Sequence, residues 1–198
     1  AGCSSGFSFL YADAQRPALA FANGTILSSA HTDNAVAHTV AQLYAADASG
    51  HSTLVYSDQP PKEAGRSDPG CTWAHSKGAL AIDGAAGGFW LTHSVPEYPT
   101  NATRSRWPAH KQNKFAQHMF CATMGAKALG EGVARALATD RVYVYNASLR
   151  EAEERAYPAL RAVLDGAGAD REYRADLSTS GGLRLRLFGK AGELSSGA

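Results

Sequence analysis

Long apolar runs are absent from this 198-residue chain. No stretch approaches the roughly 18 consecutive apolar residues that a membrane-spanning helix needs, so no such span is read from it. A charge excess of one sign is missing too. Nineteen basic residues stand against eighteen acidic ones, a net charge of +1, which excludes a polybasic nucleic-acid coat and an acidic disordered tail. Cysteine is scarce. Cys3, Cys71 and Cys121 form no C-x-x-C pair, and although Cys71 and His75 are two metal-ligand types close together, no second pair completes a tetrahedral set. No metal and no cofactor are therefore expected. There is no Walker loop, no dinucleotide fingerprint and no G-x-S-x-G elbow.

What is present is an ordinary globular composition, 44% hydrophobic, at a length that suits one domain over residues 1–198. Such a chain buries about 70% of its unfolded surface and needs no staple to fold. Thirteen arginines against six lysines suit a GC-rich bacterial genome. Starting at Ala1-Gly2-Cys3, the chain reads as an exported, mature protein, secreted or periplasmic. Seven histidines add an acid-dependent term: with a reference pKa of about 6.5, protonating all of them takes the charge from +1 to about +8 near pH 5. A phosphate polymer would then be attracted more strongly in acid.

Strands and helices alternate loosely, which predicts a mixed α and β class. Strands are expected at 7–11, 52–57, 77–83, 88–94, 117–124, 142–145 and 182–190. Helices are expected at 34–45, capped by Thr32 or Asp33, at 126–139 and at 149–164. Residues 77–83 and 88–94, joined by the small-residue turn 84–87, read as a hairpin. Prolines and polar residues over 95–107 describe a long loop. The last ten residues carry no closing element and look like the point where a longer chain was cut.

Two motifs carry chemistry. His75-Ser76-Lys77-Gly78 opens a strand, and residues two apart in a strand point to one face. An imidazole beside an ammonium suits a phosphate: lysine neutralises phosphoryl oxygens while imidazole attacks phosphorus. His93, in Phe89-Trp90-Leu91-Thr92-His93-Ser94-Val95-Pro96, closes the partner strand, and the short turn brings it back to the same end of the hairpin. His31, His38, His51, His110 and His118 read as surface or capping residues, and Arg104 and Arg106 as residues of a solvated loop.

These blocks, together with Val55-Tyr56-Ser57-Asp58-Gln59-Pro60-Pro61, Gln117-His118-Met119-Phe120-Cys121 and Val142-Tyr143-Val144-Tyr145-Asn146, resemble the deoxyribonuclease II family over nearly the whole chain. The resemblance implies a phospholipase D-like sandwich, with a central mixed sheet flanked by helices. It implies an acid endonuclease independent of divalent metal, in which two His-x-Lys motifs meet. One histidine forms a phosphohistidine, the other protonates the leaving oxygen, and cleavage leaves a 3′-phosphate. By this resemblance His75, Lys77 and His93 are the catalytic residues, DNA is the substrate, and Cys3 pairs with Cys121, leaving Cys71 unexplained. In a eukaryotic host the enzyme would be lysosome-like.

Two departures stand out. The phospholipase D signature has an aspartate five residues after its lysine, where this chain has Ile82; Asp83 follows one step later, on the opposite face. And no second His-x-Lys occurs, since His110-Lys111 is adjacent rather than spaced. The second motif is expected on a C-terminal companion chain from the same precursor. A truncation, or a second copy of this chain completing the site across a two-fold axis, are the competing explanations. Other functions compatible with the motif are a phospholipase D-type phosphodiesterase on lipid or RNA, and an inactive DNA-binding module.

Overall fold

The computed structural model describes residues 8–22, 33–44, 50–64, 72–99, 114–168 and 170–191. The expected mixed class holds. A five-stranded sheet is built from β3 (Ser52–Ser57), β4 (Lys77–Asp83), β5 (Gly87–His93), β6 (Met119–Met124) and β7 (Val144–Ser148), in the order β6-β5-β4-β3-β7. Every ladder in it runs antiparallel, so the central sheet is antiparallel and not the mixed one expected. Two small hairpins lie outside it: β1 (Leu10–Tyr11) with β2 (Ala20–Phe21), and β8 (Glu172–Ser178) with β9 (Arg184–Lys190).

The sheet is covered on both faces, which is why β3 and β4 read as near-continuous apolar runs. Leu54, Tyr56, Leu80 and Ile82 face one cluster, shared with Leu129, Val133, Leu137 and Leu160. Those partners come from a π-helical turn (Ala128–Val133), α2 (Ala134–Asp140) and α4 (Ala159–Asp165). Val55, Ala79, Ala81, Phe89 and Leu91 face the other cluster, with Val40, Leu43, Val95 and Tyr98. There the cover is α1 (Ala35–Ala41), extended by the 3-10 turn Gln42–Tyr44. Each fully buried leucine or valine adds about 1.5–3 kcal/mol, so alternation along two central strands anchors both layers. Lys77 and His93 lie on the α1 face by the same two-residue period.

Several boundaries differ from expectation, for local reasons. Asn34, not Thr32 or Asp33, caps α1: its backbone is extended and its Oδ1 accepts the Ala37 N–H at 2.8 Å. The single helix expected over 149–164 is two, α3 (Glu151–Ala156) and α4, because Pro158 cannot donate and bars the helical conformation at Tyr157. An i,i+4 ion pair stands on each side of the break, Arg155 with Glu151 and Arg161 with Asp165. The helix expected from 126 carries its π-helical turn where Gly130 and Gly132 let Tyr157 and Leu177 approach closely. Strand β9 has a partner, β8, whose outward residues are mostly charged and hide its alternation. Most of the expected 95–107 loop, with Arg104 and Arg106, lies outside the described residues, as do His110, Cys3 and Cys71; Cys121, on β6, is described and is a free thiol, against the Cys3–Cys121 bond that the resemblance implies.

Candidate active site

The β4–β5 register sets the site. Lys77 is the cross-strand partner of His93, and on its other side Lys77 pairs with Ser57, the last residue of β3. Met119, opening β6, lies opposite His93. The ends of four strand segments therefore converge, bringing His75, Lys77, His93 and the exposed His118 to one edge of the sheet.

Gly78 is what lets this register close. A Cβ there would stand 2.2 Å from the Leu91 carbonyl oxygen and 2.4 Å from the Tyr56 hydroxyl. That hydroxyl accepts the indole N–H of Trp90 at 3.0 Å, tying β3 to β5 beneath the lysine. At the far end of the hairpin, Gly87 makes the turn with φ +103°.

His75 precedes β4, so strand alternation alone does not pair it with Lys77. A carboxylate does. Asp58, the residue after β3, accepts from His75 Nδ1 at 2.5 Å through one oxygen and from Lys77 Nζ at 2.7 Å through the other. An ionised carboxylate only accepts, so Nδ1 carries a proton, and it is Nε2 whose lone pair is presented when the ring is neutral. The His75 side chain is 82% exposed, while those of Asp58 and Lys77 are 14% and 4% exposed. An exposed imidazole thus stands on a buried, charge-paired support.

Asp58 carries no signal in its own segment; it becomes visible only once β3 and β4 are paired, because the register sets the residue after Ser57 beside those before Lys77. Of the two positions weighed for the signature aspartate, Ile82 is buried in the core. Asp83 is exposed at the opposite end of β4, six residues or about 20 Å from Lys77. Neither reaches the site.

His93 is different. It is 4% exposed, and its Nδ1 accepts the Val95 N–H at 3.1 Å. Its ring meets that of Tyr98 edge-on at 5.9 Å. Burial, then the neighbouring Lys77 and His118, push its pKa down to about 3. His93 therefore takes no part in the acid-dependent charge gain expected of all seven histidines. His38 and His51 are surface groups as expected, the first against Asp33 at 2.9 Å and the second against the Gln42 carbonyl at 3.1 Å. His31 lies outside the described residues.

The loop leaving β5 is pinned beside the site. The Glu97 N–H donates to Gln59 O at 2.9 Å, and the Tyr145 hydroxyl donates to Pro99 O at 2.5 Å. Ser94 ties the loop to the start of β6, donating from Oγ to Gln117 Oε1 and accepting the His118 N–H. Among the described residues no three His, Cys, Asp or Glu side chains are grouped to hold a metal ion. No helix among them is long and apolar enough to cross a membrane.

A family profile described as Deoxyribonuclease II matches residues 2–196. The chain belongs to the deoxyribonuclease II family. Similar proteins include Plancitoxin-1 of Acanthaster planci, 36% identical over 120 residues, 60% of this chain and 32% of that protein. Deoxyribonuclease-2-alpha of Rattus norvegicus is 31% identical over 166 residues, 81% of this chain and 46% of that one. The Sus scrofa protein of the same name is 29% identical over 193 residues, 95% of this chain and 51% of its own length. The chain spans about a third to a half of the length of these curated relatives.

Proposed function

We propose that the protein containing this chain is an acid endodeoxyribonuclease that cleaves DNA through a phosphohistidine on His75, without a divalent metal. The observation that carries this reading is Asp58 holding His75 Nδ1 and Lys77 Nζ on its two oxygens. Family membership supports the substrate class, since relatives such as the rat protein are named deoxyribonucleases.

The chemistry follows from the geometry. Nε2 of His75 attacks the phosphorus, a P–N bond forms, and the P–O5′ bond breaks. Lys77, with one of its three N–H donors on Asp58, offers the others to the non-bridging oxygens as charge builds there. The leaving O5′ takes a proton from the histidine of a second His-x-Lys motif. Water then attacks the phosphorus, the P–N bond breaks, and a 3′-phosphate is released. The contacts are to the phosphodiester, so little sequence preference is expected.

The second motif is proposed to lie on a C-terminal companion chain from the same precursor, a reading supported by the share of its relatives that this chain matches. A second copy of the chain is the competing source. Export of the protein, to the outside of a cell or to a periplasm, is proposed with it.

Trapping the intermediate tests the reading. A 5′-labelled oligonucleotide is cut at about pH 5 in EDTA and quenched in alkali. The label should remain on the peptide carrying His75, and His75→Ala should abolish it. Label on another residue would overturn the assignment. Intact mass of the active material decides between companion chain and second copy. Plasmid DNA, RNA and phosphatidylcholine assayed side by side decide the substrate.

A further inference from the structure

His93 is the buried imidazole of this site, and its surroundings decide its protonation. Nδ1 accepts the Val95 N–H at 3.1 Å, so that nitrogen has no proton and Nε2 carries the only one. Among the described residues Nε2 meets no hydrogen-bond partner and is shut off from solvent. A second proton would set two N–H donors against each other, His93 Nδ1–H and Val95 N–H. It would also place a cation in the apolar layer of Phe89, Leu91 and Val95. The titratable and charged groups around the ring offer no relief. Lys77 stands opposite on β4, His118 flanks from the segment before β6, and Tyr98 packs edge-on from the loop after β5.

We propose that His93 is a neutral positioning residue: it seats the loop after β5 through Val95 and fixes Lys77 across the ladder, without moving a proton to or from DNA. This deepens the nuclease reading and rests on it for its activity arm. Three features of the structure converge on the role. The accepted N–H is at the first turn of the loop whose later residues Glu97 and Pro99 are pinned to Gln59 and Tyr145. The ring is the cross-strand neighbour of Lys77, the lysine proposed to meet the phosphate. And its Nε2, the nitrogen that bears the proton, is shut off from solvent and meets no partner among the described residues, in contrast to the exposed His75. Tight seating matters because a misplacement of about 1 Å at a reacting group can cost about a hundredfold in rate.

The test combines a direct titration with two variants of the protein at its natural length. With ring-15N histidine, the two nitrogens of His93 are followed from pH 7 to about pH 4.5. Nδ1 should stay a bare acceptor and Nε2 should keep its proton throughout. Gain of a second proton above about pH 5 overturns the proposal. In parallel, His93→Asn keeps an oxygen that accepts the Val95 N–H, and His93→Leu does not. The asparagine variant should retain the parental pH profile, with kcat within about tenfold, while leucine loses about a hundredfold. An asparagine variant as inactive as leucine, with both folded, contradicts it. Absence of DNA cleavage by the parent protein would instead sink the nuclease reading, and the titration would still decide the state of His93.

Discussion

Lys77 and His93 face each other across the β4–β5 ladder, both 4% exposed, and among the described residues only the lysine has a counter-ion. Asp58 neutralises the ammonium and in the same contact orients His75. His93 has no such partner among the described residues, and burial holds it uncharged. The division follows from dielectric cost: a buried cation persists where a carboxylate is within reach and is suppressed where none is.

Replacing Asp58 by asparagine tests that support. The amide leaves the Lys77 charge unpaired and no longer dictates which nitrogen of His75 bears the proton. Loss of the correct tautomer in a histidine–aspartate pair costs up to about 10⁴ in kcat, and a loss of about 10²–10⁴ is expected here with little change in KM. Breaking a buried ion pair from one side also costs on the order of 3 kcal/mol. Steady-state kinetics and urea unfolding of the same variant separate the two effects.

In the proposed reaction, Lys77→Ala removes the donor for the developing phosphoryl charge. A fall of about 10²–10³ in kcat is expected, the magnitude seen when one oxyanion-stabilising donor is lost. A variant that cleaved DNA at the parental rate would show that the phosphate is held elsewhere.

Gly78→Ala is expected to be among the most damaging methyl additions in the sheet. The new Cβ would overlap the Leu91 carbonyl and the Tyr56 hydroxyl, neither of which can retreat without breaking the ladder or the Trp90 bond. Overpacking of this kind costs about 1–3 kcal/mol, read as a lowered thermal midpoint.

Stability should fall in acid because of His93. Its pKa is about 3 when folded and about 6.5 in an unfolded chain, so the unfolded state binds the extra proton between those values. The contribution is complete above about pH 6.5 and is lost as pH falls toward 3; by pH 5 the loss is about 2 kcal/mol. Urea midpoints at pH 7 and pH 5 measure it, and His93→Asn should flatten the difference. An unchanged slope in that variant would mean other groups dominate.

Much of the fold was legible because the central strands are short apolar runs bounded by proline, glycine or aspartate. Ser52–Ser57 and Lys77–Asp83 match the expected limits, and the hairpin turn brings His93 back to Lys77 as expected. Asp58 was not legible as a site residue, since its role depends on pairing with a strand that begins nineteen residues later. Strand β8 was hidden because Glu172, Arg174 and Asp176 face outward and leave only Tyr173, Ala175 and Leu177 as an inward signal. The π-helical turn was hidden for a different reason: Leu129, Val133 and Leu137 keep the spacing of an ordinary α-helix.

Plasmid nicking at about pH 5 in EDTA, by the parent and by His75→Ala, bears most directly on the central claim. The parent should nick with no metal present and leave 3′-phosphate ends, and the variant should not nick at all. Nicking by His75→Ala at the parental rate would contradict the phosphohistidine on His75 outright.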